Sequence, residues 1–181
     1  MKMDQVYQNI QSQLLQGGRA MVRFSGSELE EITQAIPEIL SRKDQKDIKE
    51  LLCIMEHSAM DYPKWESYIL QMFKENLTSE NLIYLLNCAR KHIIQARFKR
   101  GNRLEFEFLQ VLEQLLTNKD PEIVEWTLRT IEECGNQGIY FLKYLDKIKP
   151  APWKWFNPHQ RAVREIIALL ESRWSQFEKK S

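Results

Sequence analysis

The stretch DPEIVEWTLRTIEECG, from Asp120 to Gly135, decides the fold class. It opens with aspartate followed by proline. This pair is typical of a helix start, because the aspartate side chain caps free backbone N–H groups and proline in the first turn loses no hydrogen bond. Apolar residues then recur three and four positions apart, and a glycine closes the stretch. The sequence therefore predicts an amphipathic α-helix over 121–135.

The same pattern extends along the rest of the chain. Apolar residues recur at helical spacing almost throughout, whereas the two-residue alternation of strands is rare and there are only six glycines and six prolines. Further capping signals stand at Ser27 with Glu30, Asp44, Asp61 ahead of Pro63, Ser79 and Asn157-Pro158. We predict an all-α protein with helices over 4–16, 27–41, 44–59, 62–75, 79–99, 103–117, 121–135, 138–148 and 158–177.

Short polar links join these helices in pairs. A chain of 181 residues is long enough for one self-sufficient core. Because a single pair cannot cover its own apolar face, pairs that repeat every ~30–45 residues indicate an α-solenoid, with a closed four-helix bundle as the alternative. We predict one domain over 1–181, with an N-terminal helix at 4–16 and helix pairs over about 27–59, 62–99, 103–135 and 138–177.

Six residues of the opening stretch share the spacing of a known repeat, namely Asp120, Pro121, Ile123, Leu128, Ile131 and Gly135. With this spacing, the second helix of the third pair resembles the second helix of a HEAT repeat. In the first pair, Ile36-Pro37 is similar to the position of the proline that kinks the family's first helix. The resemblance implies a right-handed, armadillo-like α-solenoid of about four HEAT-like pairs plus the N-terminal helix. It also implies recognition of a partner rather than a particular chemistry.

Charge is distributed unevenly along the chain. The 26 basic and 25 acidic residues give a net charge of +1, yet residues 81–104 hold six basic side chains and no acidic one. We call these six the basic cluster: Arg90, Lys91, Arg97, Lys99, Arg100 and Arg103. Cations complement the negative end of a helix dipole, but six exceed that need. We predict contacts with an acidic protein partner or with phosphates of a nucleic acid, and a solvated helix end is the alternative.

The segment Lys149–Pro158 places three aromatic residues between prolines. Rigid aromatic side chains are common anchors in protein interfaces. We therefore predict Trp153 and Trp155 as apolar anchors for a partner. The alternative is that one aromatic ring folds back to cover the end of the core, because a solenoid must cap its last repeat.

Catalytic and metal chemistry find little support in the sequence. Cys53 with His57, and Cys88 with His92, stand four residues apart on a helix face and could in principle bind zinc. All these cysteines lie within apolar seams, however, where a free cysteine behaves as a small hydrophobe. No nucleophile, histidine and carboxylate form a recognisable catalytic set. We predict no catalytic residue, no metal and no cofactor.

Together these features predict a non-enzymatic scaffold or adaptor that binds another protein through the concave surface of a short HEAT-like solenoid. The alternative is a nucleic-acid-binding protein, of a HEAT-like DNA-binding or base-repair type, that uses residues 90–103. No apolar run is long enough for a membrane span, and the first residues do not resemble a signal peptide. Three cysteines fit a reducing compartment. We therefore expect a cytoplasmic protein without membrane contact.

Overall fold

A computed structural model describes residues 3–151, 153 and 156–178. The all-α prediction is confirmed, since helices joined by turns and short links make up these residues. Across the described ranges the sole extended pairing is an isolated parallel bridge between Val22 and Ser58. None of the helices described is long and apolar enough to cross a membrane. The chain divides into two compact units, Met1–Arg100 and Gly101–Ser181.

The first unit consists of helices and one longer helical run. Its α-helices are α1 (Met3–Leu15), α2 (Gly26–Arg42), α3 (Gln45–Glu56), α4 (Glu66–Met72), α5 (Ser79–Ala89) and α6 (Ala96–Lys99). A 3-10 turn over Pro63–Trp65 precedes α4, and a π-helical turn over Arg90–Gln95 joins α5 to α6. The run predicted over 79–99 is therefore continuous, but it is α-helical only at its two ends.

The start of α2 differs from the prediction. Ser25, not Ser27, caps this helix: its hydroxyl accepts from the backbone N–H of Glu28, while the Glu28 carboxylate accepts from the backbone N–H of Ser25 at 2.7 Å. Both serines have a glutamate three residues on, so the capping pattern fits two registers and the sequence does not choose between them. Asp44 caps α3 as predicted.

Helix α3 forms the centre of the first unit. Its five residues from Leu51 to Met55 are all buried, and the helix packs against α1, α2 and α5. Beside it, the fully buried Trp65 donates its indole N–H to the hydroxyl of Thr33 in α2 at 2.8 Å. This bond satisfies the one polar group of the indole in the core.

The second unit has four α-helices among its described residues: α7 (Phe106–Leu115), α8 (Pro121–Glu133), α9 (Leu142–Ile148) and α10 (Pro158–Glu178). Asp120 caps α8 and Asn157 caps α10, as predicted, and each is followed by proline in the first turn. A 3-10 segment over Gly135–Phe141 replaces the first half of the helix predicted at 138–148.

The contact between α8 and α10 is the main packing interface of the second unit. Trp174 of α10 is 1% exposed and lies against Gly138 of the 3-10 segment. A Cβ atom on Gly138 would stand 2.6 Å from the Trp174 ring and 3.0 Å from the carbonyl oxygen of Ile131. Only glycine therefore lets the indole ring approach the backbone at this point.

Candidate functional site

Five of the six residues of the basic cluster lie on the π-helical turn, on α6 and directly after it, at the end of the first unit. The sixth, Arg103, is exposed and belongs to the second unit. Three of the side chains on the helical run, those of Lys91, Arg97 and Lys99, contact elements that precede the run in the chain.

Lys91 points toward the end of α3. Its ammonium donates hydrogen bonds to the carbonyl oxygen of Glu56, at 2.9 Å, and to that of Ser58. Glu56 is the last residue of α3 and Ser58 lies two residues beyond it, where the negative end of the helix dipole favours a cation. Burial lowers the pKa of Lys91. This lysine therefore caps a helix instead of facing solvent.

Arg97 and Lys99 form ion pairs with carboxylates near α4. The Arg97 guanidinium contacts one oxygen of Glu66 through Nε at 2.7 Å and through a terminal nitrogen at 2.6 Å, and the two side chains are only 17% and 15% exposed. Lys99 lies 2.6 Å from a carboxylate oxygen of Asp61, and its hydrogen bond lowers the pKa of that carboxyl group. Two of the six cationic charges are thus compensated within the first unit.

The two remaining arginines of the helical run contact polar groups close to them in the sequence. Arg100 donates to the carbonyl oxygen of Ala96 at 2.8 Å, and Arg90 donates to the side chain of Asn87 at 3.3 Å. All five residues of the basic cluster on the helical run thus form hydrogen bonds or ion pairs within the first unit. Sequence reasoning missed the ion-pair partners because they stand 31 and 38 residues away from their arginine and lysine.

Cys53, Cys88 and His92 are buried structural groups, and the half-buried His57 has its Nδ1 2.9 Å from the carbonyl oxygen of Cys53. In His92, Nδ1 accepts from the backbone N–H of Tyr62 at 3.0 Å and Nε2 donates to the carbonyl oxygen of Met55 at 2.9 Å, so both ring nitrogens are bonded. Burial lowers the pKa of His92 to about 4 and raises the pKa of the Cys53 thiol to about 11. Burial also raises the pKa of Cys88. Over the part of the chain that is described, no three histidine, cysteine or acidic side chains are grouped to hold a metal ion.

His159, at the start of α10, is part of a charged network. Its Nδ1 lies 2.9 Å from a carboxylate oxygen of the buried Glu125, whose other oxygen accepts two hydrogen bonds from Arg129. The network ties the first turn of α10 to the middle of α8. We regard it as a link between these two helices.

The aromatic segment between α9 and α10 exposes large apolar rings. Trp153 is 77% exposed and Phe156 is 96% exposed. Trp155, the second predicted anchor, lies outside the described residues. Exposed aromatic rings are common anchors in protein interfaces. Neither described ring folds back onto the core.

A groove of about 420 Å³ lies in the second unit, beside this segment. We call it the lysine groove, because three lysines line it. Its lining consists of Leu116, Thr117, Asn118, Lys119, Pro121, Val124, Lys147, Ile148, Lys149, Pro150, Ala151, Gln160 and Val163. Its volume is within the range of ligand-binding clefts.

Two polar features distinguish the lysine groove. Lys149 pairs with Glu171 at 3.0 Å, whereas for Lys119 and Lys147 no carboxylate within 4 Å is found in the described ranges. The side-chain oxygen of Gln160 is buried and has no hydrogen-bond partner among the described residues. The sequence did not reveal this groove, because its lysines are spread over two chain segments that only the fold brings together.

Comparison with known proteins returned no family model, no curated protein and no solved structure that matches the chain. The resemblance to HEAT repeats stays a prediction.

Proposed function

We propose that the protein is a non-enzymatic cytoplasmic scaffold that binds another protein, and that its helix pairs form a short, right-handed HEAT-like solenoid. The packing within each unit supports this architecture. In the first unit the second helix of one predicted pair, α3, packs on α5, which belongs to the second helix of the next pair. In the second unit α8 and α10 repeat that relation. Stacking of successive second helices is what a solenoid requires.

The exposed aromatic rings carry the binding proposal. Trp153 and Phe156 leave most of their apolar surface in water, and the sequence around them carries prolines at 150, 152 and 158, a residue type that restricts backbone freedom. A stiff segment loses little conformational entropy on binding, and tryptophan is the residue type most enriched among interface hot spots. These rings are therefore suited to anchor a partner protein.

Photo-cross-linking tests this function. A photoreactive phenylalanine analogue is placed at position 153 of the full chain, and a matched control carries it at Leu15, which is 88% exposed in the first unit. We expect a discrete cross-linked partner from position 153 that the control does not capture. The doubly substituted chain Trp153→Ala, Phe156→Ala should lose that partner in a pull-down. Identical cross-linking from both positions, or none from either, would contradict the proposal.

Binding of nucleic acid through the basic cluster receives less support. Arg97 and Lys99 pair with carboxylates of the same unit, and Lys91 caps α3, so three cations of the cluster are engaged. Nucleic-acid binding depends on cations that contact phosphates and release counterions. A gel shift at low salt that disappears on Arg90→Glu with Arg100→Glu would favour this alternative over the scaffold.

A further inference from the structure

We propose that the lysine groove binds an extended acidic segment of the partner protein, with Lys119 and Lys147 paired to its carboxylates and the side-chain oxygen of Gln160 accepting one of its main-chain N–H groups. The inference rests on the proposed protein-binding function and assigns that function to one surface of the second unit.

The charge of the groove selects an acidic occupant. The described residues that line it include three lysines and no aspartate or glutamate. Glu171 compensates one of these lysines, Lys149. Lys119 and Lys147 are exposed and leave an excess of positive charge over a lining that mixes polar and apolar residues. A partner with carboxylates spaced between apolar residues complements such a surface.

The buried oxygen of Gln160 favours a peptide over a simple anion. A buried carbonyl without a donor loses the hydrogen bonds that water would give it. A free carboxylate has no hydrogen-bond donor, whereas every non-proline residue of a peptide carries a main-chain N–H. The same ligand can therefore satisfy the lysines through its side chains and Gln160 through its backbone.

The shape of the surface favours an extended chain. A second hollow of about 260 Å³ shares Leu116, Thr117, Lys147 and Ile148 with the lysine groove and continues it along α7 and α9. The one acidic residue that lines this hollow, Glu113, accepts a hydrogen bond from the hydroxyl of Tyr140. The two hollows together form a long depression, which suits a segment of polypeptide more than a compact molecule. Trp153 follows Ala151 of the groove wall by two residues and adds an exposed apolar ring near one end.

Selection from a displayed library of random ten-residue peptides tests the proposal with the full chain as bait. We expect the selected peptides to be enriched in aspartate and glutamate. In fluorescence polarisation, a labelled selected peptide should bind Lys119→Glu, Lys147→Glu at least about tenfold more weakly than the unmodified chain, and raised salt should weaken binding to the unmodified chain. The matched control, Arg19→Glu with Lys46→Glu, makes the same charge change on exposed residues of the first unit and should bind normally.

Gln160→Met tests the hydrogen bond separately. It keeps the length of the side chain and removes the buried oxygen, so peptide binding should weaken while thermal stability stays the same or rises. Circular dichroism shows whether each variant is folded.

Peptides without acidic enrichment, no selected peptides, or equal binding by the Lys119/Lys147 variant would overturn the groove assignment. Binding of inorganic phosphate with the same affinity as the peptides would overturn the peptide assignment. If the groove fails these tests while position 153 still cross-links a partner, the proposed function stands and only the location is wrong. If acidic peptides bind to the groove but position 153 cross-links no partner, the assignment of the groove stands and the proposed function is wrong.

Discussion

The buried imidazole of His92 is expected to make the stability of the first unit depend on pH. The ring is fully buried, lies edge-on to Trp65 with ring centroids 4.9 Å apart, and is neutral because burial lowers its pKa from 6.5 to about 4. The unfolded chain binds a proton below pH 6.5, whereas the folded ring does not until about pH 4. The contribution of the neutral ring to the free energy of unfolding is therefore complete above pH 6.5 and is lost as the pH falls toward 4.

The magnitude follows from this difference in pKa. One pH unit corresponds to ~1.4 kcal/mol, so the full effect amounts to about 3 kcal/mol, of which about 2 kcal/mol is lost by pH 5. Urea unfolding followed by circular dichroism at pH 7 and pH 5 measures it. His92→Gln provides the control, since its amide can replace both hydrogen bonds, to Tyr62 and Met55, without titrating. The His92→Gln variant should lack the loss of about 2 kcal/mol between pH 7 and pH 5. The effects of the other titrating groups are the same in both chains and cancel when the two are compared.

An NMR titration of the His92 ring in the folded chain tests the same reasoning without a variant. A ring that titrates near pH 6.5 would refute it, as would equal pH dependence of unfolding in the unmodified chain and in His92→Gln.

Three further predictions concern packing and charge. Gly138→Ala should lower the free energy of unfolding by ~1–3 kcal/mol, because the added carbon would meet the ring of Trp174 at 2.6 Å; an unchanged melting temperature would contradict this contact. Arg97→Met should cost ~2–4 kcal/mol in urea unfolding by leaving Glu66 half-buried and unpaired, and adding Glu66→Met should restore most of the loss; equal stability of both variants would contradict the pair. Burial raises the pKa of Glu50, so the folded state disfavours its carboxylate, and Glu50→Gln should raise the urea midpoint at pH 7 but not at pH 3; a lower midpoint at pH 7 would contradict this.

Local signals in the sequence account for most of the helices. Asp44, Asp120 and Asn157 cap helices in the structure as predicted, because a cap depends on residues within three positions of it. The cap of α2 was misplaced by two residues, since Ser25 and Ser27 satisfy the same pattern. Local signals also did not show the π-helical turn or the 3-10 segment, which depend on packing against distant parts of the chain.

The site was less predictable than the helices, because charge compensation is a long-range property. A run of six cations without an acid resembled a binding surface, yet Glu66 and Asp61 approach it from another part of the fold. The opposite holds for Lys119 and Lys147. They stand apart in the sequence, and they share a groove because α8, α9 and α10 fold around it. Trp153 was predicted as an anchor from its proline-rich setting; the ring is exposed, and its role as an anchor stays a prediction.

The π-helical turn over Arg90–Gln95 determines in which direction around the helix axis the side chains of α6 point. An α-helix advances by about 100° per residue, so one residue more or less rotates all later side chains by that angle. With the phase that this turn provides, Arg97 meets Glu66 and Lys99 meets Asp61. Removal of the exposed Gln95 would turn both cations by about a quarter of a revolution. The wider turn thus decides whether these charges are neutralised inside the unit or presented to its surroundings.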